Sequence, residues 1–88
     1  MVTIPETGRA LLKFSAPWCG PCKALSAVMK GIEIPMPVVE INIDEEYSLA
    51  EQYGVRGVPT VVIIDNGQEV ARKVGNIPQA VLQQLVSS

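Results

Sequence analysis

The sequence predicts an α/β protein with a central mixed sheet of four to five strands flanked by about three helices. Hydrophobic residues alternate along the chain between runs with the two-residue period of a strand and runs with helical spacing. Strands joined by helices favour parallel pairing, whereas Asn66-Gly67 between two strand-like runs predicts a tight antiparallel hairpin. Both kinds of pairing in one chain indicate a mixed sheet.

The elements are predicted in the order strand, helix, strand, helix, hairpin and helix. A buried strand covers Ala10–Phe14, and the helix that follows the two cysteines closes at Gly31. A second strand covers Val38–Ile43, after which Asp44 is expected to cap a short helix that ends at Gly54.

The hairpin strands are predicted at Thr60–Ile64 and Glu69–Val74. Asn76 is expected to be the N-cap of the final helix. A further short strand near Val2–Ile4 would make the sheet five-stranded. These 88 residues leave room for one hydrophobic core only.

Composition excludes several classes of protein. With 48% hydrophobic and 18% charged residues, the chain is globular, and its net charge of −2 argues against nucleic-acid binding. The N-terminus lacks a basic start and an apolar leader, and no apolar run is long enough to span a membrane, so a cytoplasmic location is expected. The absence of histidine removes Ser-His and Cys-His catalysis.

The two cysteines form one C-x-x-C motif, Cys19-Gly20-Pro21-Cys22. A zinc site would need two further ligands, and the chain has neither a second C-x-x-C nor a histidine to supply them. An inert structural disulfide would close too short a loop to stabilise the fold by much. Two buried, unreactive thiols remain an open alternative.

A redox function explains more of the motif. Cys19 follows a strand and stands at the start of a helix, where unpaired N–H groups and the helix dipole favour a thiolate. Pro21 suits the first helical turn, and Gly20 leaves the backbone open to a partner chain. We therefore predict that Cys19 is an exposed nucleophile, alkylated before Cys22, and that Cys22 lies deeper and resolves the mixed disulfide.

Three segments resemble the thioredoxin family. Phe14–Lys23, which contains Trp18-Cys-Gly-Pro-Cys-Lys, is similar to the family's active-site segment. Tyr53–Thr60 is similar to the segment that faces the cysteines, and Lys73–Gly75 to the loop before the last helix. The likeness runs from about Ala10 to the C-terminus, so residues 1–88 are expected to form a single thioredoxin-like domain.

The resemblance implies reduction of protein disulfides by dithiol/disulfide exchange through Cys19 and Cys22. It implies disulfide-bearing protein substrates, a flavin-dependent thioredoxin reductase as electron source, and no cofactor beyond the redox-active disulfide. We also expect a monomer. The resemblance further implies a cis Val58–Pro59 bond that exposes the backbone of Val58 to substrate. The implied substrate-binding surface around Cys19 consists of Trp18, Gly20, Pro21, Val58, Pro59, Val74 and Gly75.

Alternatives remain for the function and for parts of this surface. A glutaredoxin-like protein reduced by glutathione is a second enzyme hypothesis. An interaction module whose apolar face binds a partner in either redox state is a third. Trp18 and Val74 could simply pack in the core, and Pro59 could be a trans proline that starts a strand.

Lys13 and Glu40 depart from the family pattern. The family usually has a buried aspartate where Lys13 stands, and often a lysine where Glu40 stands, so the two charges are swapped. We expect an ion pair that is buried or half-buried beneath Cys22. Removing either partner should cost several kcal/mol of stability. Glu40 would then accept the Cys22 proton through a water, and Lys13 would favour the Cys22 thiolate. The alternative is that both charges point to solvent.

Overall fold

The computed structural model of the protein describes residues 2–87, which form one four-stranded sheet and three helices. The elements in chain order are β1 (Arg9–Ser15), α1 (Gly20–Lys30), β2 (Val38–Asn42), α2 (Tyr47–Gln52), β3 (Thr60–Asp65), β4 (Gln68–Val74) and α3 (Gln79–Ser87). The predicted fold class is therefore confirmed, and the sheet has four strands, the lower of the two numbers predicted. Among these helices none has the length and apolar character needed to cross a bilayer.

The sheet is mixed, with strand order β2-β1-β3-β4. β1 pairs in parallel with β2, and it pairs antiparallel with β3, which in turn pairs antiparallel with β4. Parallel β1 and β2 are joined through α1, as the alternating pattern predicted, and the two-residue turn joins β3 to β4. β1 is thus an inner strand, and the cysteine motif begins where it ends.

Side chains of β1 alternate between the two faces of the sheet, and each face carries one layer of the hydrophobic core. The core on the α2 face contains Ala10, Leu12, Phe14, Ile41, Ala50, Val62 and Ile64. The core on the α1 and α3 face contains Leu11, Leu25, Val61, Ile63, Ile77, Leu82 and Val86. Lys13 belongs by this alternation to the second face, beneath α1, where it is only 3% exposed.

The expected strand near Val2–Ile4 is wrong, because this segment contributes side chains to the core and adds no strand to the sheet. Val2 and Ile4 pack against the core on the α2 face. The Val2 N–H donates to Glu46 Oε1 at 3.0 Å, which holds the segment against the start of α2. β2 is an edge strand of the sheet that the described residues form.

Two expected helix caps are also wrong. The N-cap of α2 is Glu46, which makes no side-chain capping bond, and Asp44 instead lies in the turn that precedes it. The last helix begins at Gln79, where the Pro78 carbonyl accepts the N–H of Leu82, so Asn76 lies before the helix. The first N–H groups of a helix have no partner within it, and Pro78 suits this position because proline has no N–H.

The hairpin between β3 and β4 follows the sequence prediction. Asn66 and Gly67 both have positive φ, 51° and 82°, as a type I′ turn requires. The Asn66 side-chain oxygen also accepts the Gly8 N–H at 2.7 Å, while the Asn66 N–H donates to the Gly8 carbonyl. The turn therefore also anchors the segment that leads into β1.

Gly67→Ala is expected to lower the free energy of unfolding by about 1–2 kcal/mol, because an alanine Cβ is strained at this φ. A Cβ at Gly67 would meet only the Glu6 carbonyl at 3.9 Å, so crowding adds little to this strain. Equilibrium urea unfolding provides the measurement. Gly57→Ala, where there is open space and no positive φ, is the matched control. Equal losses for the two variants would contradict the proposed strain at Gly67.

Arg72 joins the end of α2 to β4. Its guanidinium donates to the Tyr53 carbonyl and, at 2.7 and 2.9 Å, to the two carboxylate oxygens of Glu69. The hydrogen bond from Arg72 lowers the pKa of Glu69, and the same bond raises the pKa of Arg72. The contact fixes the end of α2 close to the sheet.

Candidate active site

Cys19 and Cys22 form a disulfide at the N-terminus of α1, with their Cα atoms 5.3 Å apart. Cys19 is the N-cap residue, with extended φ and ψ of −90° and 107°. Its Sγ accepts the backbone N–H of Cys22 at 3.1 Å, so the nucleophile predicted from sequence occupies the position of a capping acceptor. Pro21 lies in the first turn of the helix, where its missing N–H leaves no bond unmade.

The two cysteines are equally buried in this disulfide state. Cys19 is 4% exposed and Cys22 is 3% exposed, so the expectation of an exposed Cys19 above a deeper Cys22 is wrong for the oxidised protein. Both pack in a small apolar cluster with Ala16, against which Ile43 and Val58 also lie. The packing of Ile43 and Val58 covers Cys19 more than its position at a helix start suggested.

Trp18 and Val74 are exposed, by 67% and 60%, so the alternative that they pack in the core is wrong. Gly20 and Pro21 are exposed as well, whereas Gly75 is half-buried. The Trp18 indole N–H donates to Asp44 Oδ2 at 3.1 Å, and this bond ties the residue before Cys19 to the turn after β2. The sequence predicted a capping role for Asp44 and gave no sign of this contact.

The Val58–Pro59 bond is cis, as the family resemblance implied. Val58 is half-buried and packs against the cysteine cluster, while the side chain of Pro59 is fully buried. The Pro59 carbonyl accepts the N–H of Gly75 at 2.8 Å. This hydrogen bond holds the loop before β3 beside the loop after β4.

Lys13 and Glu40 are neighbours in the parallel register of β1 and β2 and form an ion pair, with Lys13 Nζ 3.2 Å from Glu40 Oε1. Lys13 is 3% exposed, whereas the Glu40 side chain is 61% exposed. The expected half-buried pair is therefore confirmed. The solvent-facing alternative is wrong for Lys13 and correct for Glu40.

Ser26, which was not predicted from the sequence, connects this ion pair to the backbone of Cys22. Lys13 Nζ donates to Ser26 Oγ. The Ser26 hydroxyl donates in turn to the Cys22 carbonyl at 3.1 Å. The available signal was the spacing of four residues between Cys22 and Ser26, which places both on one helix face.

A buried disulfide at a helix N-terminus, beside an exposed tryptophan and valine, has the chemistry of a thiol–disulfide oxidoreductase. The helix N-terminus favours the thiolate that attacks a disulfide, and an adjacent second thiol can displace the product. Across residues 2–87 no three His, Cys, Asp or Glu side chains are grouped so that they could hold a metal ion.

Comparisons with known proteins define the family. The family profile described as Thioredoxin matches residues 2–88. Thioredoxin 1 of Nostoc sp. is 42% identical over 78 residues, which cover 84% of this chain and 73% of that protein. Bacillus subtilis thioredoxin is 38% identical over 84 residues, which cover 91% of this chain and 81% of that protein.

Solved thioredoxin structures have the same fold. A mutant thioredoxin from Halobacterium salinarum superposes with a TM-score of 0.84 at 37% identity, over 92% of this chain and 74% of that one. Fasciola hepatica thioredoxin gives a TM-score of 0.83 at 28% identity, over 93% and 81% of the two chains. The chain belongs to the thioredoxin family. It is a protein-disulfide oxidoreductase that acts by dithiol/disulfide exchange.

Proposed function

We propose that the reduced protein attacks substrate disulfides with Cys19 and releases the product with Cys22. The Cys19 thiolate attacks one sulfur of the substrate disulfide, so that a Cys19–substrate bond forms as the substrate S–S bond breaks. The first substrate cysteine leaves as a thiolate and takes up a proton. Cys22 then loses its proton and attacks Cys19 Sγ, and the second substrate cysteine leaves and is protonated. Two electrons pass from the protein to the substrate, which gains one proton released by Cys22 and one from solvent, and the Cys19–Cys22 disulfide remains.

The position of Cys19 as the N-cap of α1 is the observation that carries this assignment. Its sulfur already accepts the Cys22 N–H in the disulfide, and a thiolate would accept the same bond more strongly because it is charged. Cys22 lies within the first turn of α1 and does not occupy the capping position. The asymmetry between the cysteines thus comes from backbone donors rather than from exposure.

Substrate is proposed to bind over the exposed surface beside Cys19. Trp18 and Val74 present apolar area there, while Gly20 and Pro21 lie at the start of α1. Val58, Pro59 and Gly75 complete the surface, where the hydrogen bond between Pro59 and Gly75 fixes two loops relative to the disulfide. The buried side chain of Pro59 suggests that the backbone of Val58, rather than the proline ring, contacts substrate.

Lys13 and Glu40 are proposed to manage the Cys22 proton during resolution. The ammonium of Lys13 favours the Cys22 thiolate, and it cannot act as a base while it is charged. Glu40 is the exposed member of the pair, so its carboxylate can receive the proton through water. An open groove beside the pair is lined by Lys13, Ser26, Met29, Lys30, Ile34, Val38 and Glu40.

We further propose that residues 1–88 act as a monomeric single domain in the cytoplasm, re-reduced by a flavin-dependent thioredoxin reductase. The test is a coupled assay in which reductase, NADPH and a disulfide-bearing protein such as insulin are mixed with the chain. Turnover that depends on the chain and on the reductase supports the proposal. Turnover with glutathione and glutathione reductase alone would indicate a glutaredoxin-like protein. Partner binding that survives Cys19→Ser with Cys22→Ser would indicate an interaction module.

A further inference from the structure

Ser26 is the only described side chain for which the structure shows hydrogen bonds both to Lys13 and to the backbone of a cysteine. Its hydroxyl proton is directed at the Cys22 carbonyl, since the carbonyl oxygen can only accept. The Ser26 oxygen is therefore left to accept from Lys13 Nζ. A serine at the fourth residue after Cys22 thus connects the buried ammonium to the first turn of α1.

The two partners of Lys13 compete for the position of its ammonium. Glu40 attracts it toward the exposed edge of the sheet, since the Glu40 side chain is 61% exposed. Ser26 holds it beneath the helix that carries Cys22. A lysine ammonium is a compact charge on a flexible stem, so its position depends on such anchors. Without Ser26 the charge can move toward Glu40 and away from the cysteine.

The other charged groups around Cys22 cannot replace Lys13. The side chains that pack on the cysteine cluster from the loops after β2 and before β3, Ile43 and Val58, carry no charge. Lys23, next to Cys22 on α1, is exposed, so its charge is screened by water. Asp44, after β2, is exposed and accepts the Trp18 indole N–H.

We propose that Ser26 is a positioning residue that keeps the Lys13 ammonium close to Cys22 and so favours the thiolate that resolves the mixed disulfide. The proposal rests on the role of Cys22 as the resolving thiol. It also accounts for Lys13 at a position where a buried ammonium is otherwise costly.

The experiment measures the alkylation rate of Cys22 against pH in a Cys19→Ser background. Serine at position 19 keeps an oxygen that can accept the Cys22 N–H, and it leaves Cys22 as the only thiol. Iodoacetamide is the probe, so neither a disulfide substrate nor a reductase is needed. A failed coupled assay and a failed role for Ser26 are therefore distinguishable.

Lys13→Met and Ser26→Ala are each expected to raise the midpoint of the pH profile and to slow alkylation at pH 7 about three- to tenfold. Combining them should slow alkylation no further, and Ser26→Thr should restore the rate because it keeps the hydroxyl. Ser48→Ala, at an exposed serine on α2, is the matched control. Thermal unfolding checks that each variant is folded. Ser26→Val, which has the shape of threonine without the hydroxyl, is a second variant should alanine disturb α1, and it should give the slow rate of Ser26→Ala.

Three results would overturn the proposal. The profile of Ser26→Ala could coincide with that of its parent, which would mean that the hydroxyl has no influence on Cys22. The effects of Ser26→Ala and Lys13→Met could add fully, which would mean that Ser26 acts independently of Lys13. Ser26→Thr could fail to restore the rate although the variant is folded.

Discussion

Replacing Cys22 with serine is expected to abolish turnover while Cys19 still captures substrate in a mixed disulfide. The change removes the thiol that would attack Cys19 Sγ, and serine cannot form the disulfide that completes the reaction. The backbone N–H at position 22, which donates to Cys19 Sγ, is unaffected by the change of side chain. Nucleophilic attack should therefore continue and resolution should stop.

Mass spectrometry of the Cys22→Ser variant after incubation with an oxidised protein substrate measures the trapped adduct, and NADPH consumption in the coupled assay measures turnover. Cys19→Ser is the matched control, expected to give neither adduct nor turnover. An adduct with Cys19→Ser and none with Cys22→Ser would reverse the two roles. Full turnover by either variant would exclude a two-cysteine mechanism.

Removing Glu40 is expected to destabilise the fold more than removing Lys13. Glu40→Leu leaves a 3% exposed ammonium with Ser26 as its remaining partner, and we expect a loss of about 1–3 kcal/mol. Lys13→Met leaves a carboxylate that is already 61% exposed and places an apolar side chain in a buried site, so the expected loss is below about 1 kcal/mol. The sequence-based expectation that either change costs several kcal/mol is thereby revised.

A double-mutant cycle in urea unfolding tests this asymmetry. The double variant should be more stable than Glu40→Leu alone, because it no longer contains a buried ammonium without a carboxylate partner. Glu51→Leu, at an exposed glutamate on α2, controls for placing leucine at an accessible position. A coupling energy of zero, or a larger loss for Lys13→Met than for Glu40→Leu, would show that the half-buried ion pair does not contribute as described.

Local signals in the sequence predicted most of the fold and the centre of the site. Asn66-Gly67 specifies its own turn, because both residues accept the positive φ that the turn requires. The cysteines were predicted as a pair because their chemistry depends on a spacing of three residues and on the helix start they occupy. Lys13 and Glu40 were predicted to meet because the family resemblance implied neighbouring strands, and the register confirms it.

Features that depend on packing between distant segments could not be predicted. Ser26 contacts Lys13 only because α1 crosses the face of β1 that carries the lysine. Asp44 was assigned to the nearest helix start, whereas its partner, Trp18, is 26 residues away. The burial of Cys19 likewise depends on Ile43 and Val58, which come from two other loops.

Because β2 lies at the edge of the sheet, we expect Glu40 to oppose aggregation as well as to pair with Lys13. The hydrogen bonds between β1 and β2 include those from the Leu11 N–H to the Pro37 carbonyl and from the Ile43 N–H to the Ser15 carbonyl. In a parallel pair only every second residue of a strand bonds to its neighbour, and on β2 these are the odd-numbered residues. The main-chain groups of Val38 and Glu40 therefore face outward, away from β1. Such unpaired groups can template a strand from another molecule, and a charged side chain on the edge opposes this because two copies would bring like charges together. The carboxylate that balances Lys13 within the molecule therefore also helps to keep separate molecules apart.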